Sequence, residues 1–122
     1  MLLLRKPGAD VVRRFLEEQA QLQFTYPAVG ATEGAAPADY SVGRVRACLG
    51  RGERVFELAK AALERGDQFQ IAWLETWRPE PTFQAGQTVA VLARSLGLWW
   101  LNACRIVYTI HEDTPKHRFG YA

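Results

Sequence analysis

Few side chains in this sequence have the type and setting to do chemistry. Arg105 is the most pointed of them, because it interrupts an otherwise apolar run, Leu98 to Ile110. A charge there needs a counter-charge, a ligand or solvent. Two readings meet that need: an ion pair with Glu75 on a neighbouring strand, or an anionic ligand held in a lined cavity. The ion pair is the simpler. His111, Glu112, Asp113 and His117 form a cluster of metal-ligating residue types. Their spacing matches no helix-borne H-E-x-x-H arrangement, and Thr114-Pro115 between them reads as a solvated turn, so no metal is expected. Cys48 and Cys104 have no CxxC partner spacing. A reactive thiol wants an accessible, electropositive setting, whereas Arg105 points to the opposite strand face from Cys104. There is no G-x-S-x-G elbow. No catalytic residue is assigned.

Leu49-Gly50-Arg51-Gly52-Glu53-Arg54-Val55 stands where a strand would meet a helix, the setting of a phosphate-cradling loop. Val55 occupies the place of the third glycine of a dinucleotide fingerprint, and no Walker lysine follows. A tight turn explains the glycines, and no cofactor is expected. Arg44, Arg46, Arg51 and Arg54 could form a phosphate or nucleic-acid patch, or one solvated strand face. With 15 Lys and Arg against 13 Asp and Glu, net +2, the basic footprint is too small to imply a nucleic-acid partner. Trp73, Trp77, Trp99 and Trp100 are either core or the walls of an aromatic-lined cavity. The candidate pocket residues are Tyr26, Phe56, Trp73, Trp100, Cys104, Arg105 and Tyr108.

The elements that must position these groups follow from periodicity. Residues 9–21 read as a helix capped by Asp10, with Val11, Phe15, Leu16 and Ala20 on one stripe. Residues 22–41 are rich in Gly and Pro and read as a long loop that Tyr26 and Tyr40 pin to the core. Residues 41–49 suit a strand and 53–65 a second helix with Phe56, Ala59, Ala62 and Leu63 on its apolar face, closed by Gly66. Strands are expected over 68–77, 88–94 and 98–110, with a turn over 111–117. The last of these strands would be about 43 Å long if flat. It must therefore curl or break, with Asn102 a natural bulge. Its even positions, Leu98 to Ile110, form the more apolar face and should meet the core. Residues 118–122 begin a further strand whose edge is bare.

The 122 residues, 48% hydrophobic and 23% charged, describe one globular domain. That excludes a disordered tail and a disulfide-dense miniprotein. No apolar run approaches the roughly 20 residues that span a bilayer, so no membrane role is expected. Met1 to Leu4 is too short for a signal peptide and reads as a short edge strand or packed arm. Two cysteines permit one disulfide but make no framework. Reduced, buried thiols in a cytoplasmic protein are the expectation.

Taken in order, Phe24-Thr25-Tyr26-Pro27-Ala28-Val29-Gly30-Ala31-Thr32, Leu49-Gly50-Arg51-Gly52 with Phe56 and Ala59, Ala103-Cys104-Arg105-Ile106-Val107-Tyr108 and Arg118-Phe119-Gly120-Tyr121-Ala122 resemble uncharacterised protein family 0548, the domain of unknown function nineteen-ninety family. The resemblance runs through most of the chain and carries over no enzymatic activity. Its further Y-G-T-L-P-G-H-P-like segment is absent here, which implies a C-terminally shortened member. The order of elements is also similar to the helix-grip, START-like architecture, an analogy of fold alone.

These readings converge on an α+β domain: a curved antiparallel sheet packed on helix 53–65, with helix 9–21 peripheral and the fold incomplete. The expected function is non-catalytic binding of a small apolar or amphipathic ligand between sheet and helix. An oligomeric structural module joined through the 118–122 edge is the alternative. An enzyme using Arg105 to hold a small anionic substrate is the third reading.

Overall fold

The structure, a computed structural model, describes residues 1–114 and 116–122. Its elements are β1 (Leu2–Leu3), α1 (Ala9–Gln21), α2 (Glu53–Arg65), β2 (Leu74–Trp77), β3 (Thr88–Ser95), β4 (Leu98–Arg105), β5 (Thr109–Glu112) and β6 (Arg118–Tyr121). Single 3-10 turns lie at Ala31–Glu33 and Asp67–Phe69. The fold is α+β, with an antiparallel sheet ordered β1-β4-β3-β2 and a separate β5-β6 pair.

The sheet is organised by the β3-β4 hairpin, whose register sets Leu92 opposite Leu101, Ala90 opposite Ala103 and Thr88 opposite Arg105. Residues directly opposite share a face. The face bearing Leu92, Leu101 and Ala90 is covered by α1. Val12, Ala90, Leu92 and Leu101 are fully buried together, with Leu3, Phe15, Leu16, Trp77 and Trp99 packed around them. The stripe of α1 is thus Val12, Phe15 and Leu16, an i, i+3, i+4 set. Val11, assigned to the stripe from the sequence, is 45% exposed. Asp10 lies in the first turn rather than at the cap, which is Gly8, and it pairs with Arg13.

The roles expected of the two helices are exchanged. Helix α1 is the one on the four-stranded sheet, while α2 packs against β6 and the Asp67–Phe69 turn. The physical reason is in the stripes. Val12, Phe15 and Leu16 present branched and aromatic side chains that fill the hairpin face. The face of α2 carries the small Ala59 and Ala62 between Phe56 and Leu63, which suits close approach to a smaller surface. Two residues tie α2 in place: Arg78, which follows β2, donates to the carbonyls of Glu64 (2.7 Å) and Arg65 (3.2 Å), and the Tyr121 hydroxyl of β6 donates to the Leu63 carbonyl (3.0 Å). As expected, Gly66 closes α2 in the left-handed region, at φ 76°.

Three further expectations are corrected. The odd positions of β4, not the even ones, meet the core: Leu101 is fully buried, while Trp100 is 42% exposed. A helix can cover only one face of this sheet, and Leu101 pairs with Leu92 on the face that α1 covers. The long final run breaks at residues 106–108, not at Asn102, which pairs in register with Val91. At the break Ile106 N–H donates to Gln87 (2.9 Å), while Val107 N–H turns to Ala122 (2.6 Å), so the chain passes from one sheet to the other. Residues 41–49 form no strand and every one of them is exposed. Strand propensity expresses itself only where a neighbour supplies backbone partners.

Elsewhere the sequence-based boundaries shift. The 68–77 strand is reduced to Leu74–Trp77, because Asp67–Phe69 continues out of Gly66 as a 3-10 turn. His111 and Glu112 belong to β5 instead of a turn, and Pro115, part of that expected turn, lies outside the described residues. β6 is not bare along its length, since it pairs with β5. Tyr26 (45% exposed) and Tyr40 (46%) do not pin the long loop. Thr32 does so, through a 2.8 Å hydrogen bond between its hydroxyl and that of Tyr108. The accessible surface is 9487 Å², against about 6,600 Å² for a compact monomer of this mass. Much of the excess is the exposed 22–52 segment and the uncovered sheet face carrying Leu2 and Trp100.

Candidate functional site

Helix α1 ends where β3 begins and β4 ends, and the chemistry-bearing residues gather at that corner. The Arg105 side chain emerges at the last position of β4, on the α1 side of the sheet. Its Nη2 donates to the carbonyls of Gln19 (3.1 Å), Ala20 (3.0 Å) and Leu22 (2.9 Å). Those carbonyls belong to the last turn of α1, where Gln19 also accepts from the Leu22 N–H (3.2 Å), and a cation there meets the negative end of the helix dipole. The guanidinium carbon lies 5.0 Å from the Phe24 ring centroid. The expected pair with Glu75 does not form. Glu75 is held by Lys6 at 2.7 Å, nearer the other end of the sheet.

Of the clefts at this corner, two share Thr88. The larger, about 540 Å³, runs between α1 and the β2-β3 edge. Val12, Arg13, Leu16, Glu17 and Ala20 form one wall, and Trp77, Arg78, Gln87 and Thr88 the other. Gln87 Nε2 and Thr88 Oγ1 are buried and have no hydrogen-bond partner among the described residues. Gln87 Oε1 accepts from the Gln84 N–H at 3.3 Å, which fixes the amide with its NH2 turned the other way. The smaller cleft, about 250 Å³, lies between the chain leaving α1 and the end of β4, with Phe24, Tyr26, Thr88, Cys104 and Arg105 on its walls.

Of the sequence-derived pocket residues, Tyr26, Cys104 and Arg105 meet in the smaller cleft. The other four stand elsewhere. Trp73 is 55% and Trp100 42% exposed. Phe56 packs on His117 with centroids 5.3 Å apart, and Tyr108 bonds Thr32. Both cysteines are free and exposed, contrary to the buried thiols expected. Partial desolvation still pushes the Cys104 thiol up from its ordinary value. Gln87 and Thr88 were missed. Following Gly86 they read as a turn running into a strand, and nothing in the local sequence marks their side chains as buried.

The remaining candidates are spread out. His111 accepts at Nε2 from Lys60 (3.1 Å), and Glu112 pairs with Arg118 (3.2 Å). Among the described residues no group of three His, Cys, Asp or Glu could hold a metal ion, and no helix is long and apolar enough to cross a membrane. Arg44, Arg46, Arg51 and Arg54 are exposed. Gly50 and Gly52 carry φ of 144° and 91° at the entrance to α2. A Cβ on Gly50 would stand 2.9 Å from Val55, so the glycine serves a tight turn.

Residues 25–122 match the family described as a domain of unknown function, DUF1990. The chain belongs to that family. Two curated relatives carry the name UPF0548 protein. The one from Dictyostelium discoideum is 26% identical over 134 residues, covering 100% of this chain and 62% of its own length. The one from Deinococcus radiodurans is 33% identical over 133 residues, covering 99% of this chain and 66% of its own length. The chain thus spans under two-thirds of either DUF1990 relative. No solved structure matches it.

Proposed function

We propose that this DUF1990 chain binds a small amphipathic molecule, without catalysis, in the 540 Å³ cleft between α1 and the β2-β3 edge. One observation carries the reading: two buried polar atoms without partners among the described residues, Gln87 Nε2 and Thr88 Oγ1, belong to walls that combine the apolar Val12, Leu16, Ala20 and Trp77 with the charged Arg13, Glu17 and Arg78. A buried donor left unpaired costs about 1–3 kcal/mol. A ligand whose polar end meets these groups after a rotamer turn would recover that cost, and its apolar body would lie along Leu16 and Trp77. The ligand is still held between sheet and helix, but the helix is α1. That is the part a helix plays across the sheet in a helix-grip, START-like fold, an analogy that adds to the reading and does not carry it. The two free thiols suit a reducing, cytoplasmic setting.

The test begins with native mass spectrometry of the purified protein, gentle and then denaturing, to identify any retained small molecule. Titration with 1-decanol, a neutral amphipath, follows by Trp77 fluorescence and amide NMR. Saturable shifts at Leu16, Trp77 and Gln87, reduced by Ala20→Leu and by Gln87→Met, are the expected result. Shifts scattered over the exposed loop, or equal affinity in both variants, would refute the cleft.

A further inference from the structure

We propose that the smaller cleft beside Arg105 is a separate binding site for a small, flat carboxylate, held by the Arg105 guanidinium and the Thr88 hydroxyl. The argument starts from unspent hydrogen-bonding capacity. All three contacts of Arg105 to the end of α1 go through Nη2, whose two hydrogens are shared among three carbonyls. Nε and Nη1 donate to nothing among the described residues. The side chain is held in place by one nitrogen, and its Nε and Nη1 hydrogens remain for single charge-assisted hydrogen bonds to a carboxylate oxygen.

The charge is also uncompensated. Arg105 forms no ion pair among the described residues, and no Asp or Glu lines the cleft. The carboxylate that might have neutralised it, Glu75, is engaged with Lys6. The helix-end carbonyls offset part of the charge, roughly half an elementary unit for a full helix dipole. A net positive charge remains in a cleft whose walls combine Leu22, Phe24 and Ala103 with the neutral polar Gln19, Gln23 and Thr25.

Thr88 supplies the second prong. It stands directly opposite Arg105 in the β3-β4 register, so both side chains leave the same face of the sheet. Its hydroxyl is buried with no partner among the described residues, and a turn about χ1 would offer it to an oxygen beside the guanidinium. A carboxylate presents two coplanar oxygens, one for each prong. Among the described residues no second cation lines the cleft to balance the further charge of a phosphate, so a singly charged carboxylate is the better match. Phe24 lies against the guanidinium, and Tyr26 lies 5.8 Å from Phe24, so the apolar wall is aromatic and favours a flat body. The 250 Å³ of space suits a single-ring acid rather than a long acyl chain. This site shares the Thr88 hydroxyl with the larger cleft but takes its affinity from the Arg105 charge, so the comparison of a charged with an uncharged ligand separates the two.

Benzoate is the probe and benzamide its uncharged counterpart, each titrated into the whole chain and followed by amide and arginine Nε NMR. Benzoate should saturate with shifts centred on Thr88, Cys104 and Arg105, and benzamide should bind about tenfold more weakly. Thr88→Val leaves the Arg105 contacts to α1 intact and should weaken benzoate about fivefold with an unchanged melting temperature. Arg105→Gln should abolish binding. If that variant unfolds, Thr88→Val and the benzamide comparison still decide. Equal binding of benzoate and benzamide, no saturable shift, or shifts outside the cleft would each overturn the proposal. So would wild-type affinity in Thr88→Val.

Discussion

Arg105 Nη2 lies 2.9 Å from the carbonyl oxygen of Leu22, the residue that ends helix α1, so the last residue of β4 caps the helix that covers its own sheet. Sheet and helix are joined there by a charged contact as well as by the Val12 core. Hydrogen bonds from a charged donor are worth about 1.5–3 kcal/mol when sheltered, and less at a corner that water reaches. Arg105→Gln should therefore destabilise the fold by about 1–2 kcal/mol in urea unfolding. The loss should concentrate at Gln19 to Leu22 in hydrogen exchange. Unchanged protection in that segment would show that the cap contributes nothing.

The two faces of β4 give a sharper test of where the core lies. Leu101 is fully buried between α1 and the hairpin, whereas Trp100 is 42% exposed on the uncovered face. Leu101→Ala should cost about 2–4 kcal/mol, as large-to-small changes at packed sites do. Trp100→Ala removes a larger side chain and should cost less, about 1–2 kcal/mol, because a large part of that side chain already faces water. Urea midpoints for the two variants decide it, and the reverse order would place the core on the other face.

That same pair shows what was legible in the sequence. Helix positions, Gly66 as a closing residue, the β3-β4 strands and the α+β class all follow from local periodicity and turn chemistry, which one segment carries by itself. The face of β4 that meets the core, and which helix covers it, do not. Both faces of Leu98 to Arg105 are apolar, so alternation cannot choose between Leu101 and Trp100. Only the stripe of α1, far away in the chain, does so. Val42 to Cys48 fails as a strand for a related reason, since a pattern without a neighbour makes no ladder. At the candidate site, Arg105 stood out because a charge in an apolar run demands an explanation. Its partners were backbone carbonyls, which no side-chain pattern reveals, and Thr88 became a candidate only through its register opposite Arg105.

The β3-β4 turn holds a residue in a costly conformation. Leu96 has φ 51° and Gly97 φ 76°, so both central residues of the turn are left-handed, the geometry that asparagine-glycine pairs favour. Leu96 is 97% exposed and gives nothing back in packing. Leu96→Asn should raise stability by about 0.5–1 kcal/mol with no change in the sheet. An unchanged or lower urea midpoint would mean that the leucine makes a compensating contact.

Cys104 offers a pH test with a definite sign. Desolvation raises its thiol above the ordinary value, which means the folded state favours the protonated form. The folded protein therefore gains stability from this group below the ordinary thiol value, and loses that gain as pH rises through the raised one. Reactivity follows the thiolate fraction. Both cysteines are exposed, so access alone does not separate them. In iodoacetamide labelling at mildly alkaline pH, Cys104 should react more slowly than Cys48, which lies on the open 41–49 segment. The Cys104 rate should keep rising on the alkaline side of the ordinary thiol value, and urea should abolish the difference. Equal rates across the pH range in the folded protein would show that Cys104 titrates as a solvated thiol.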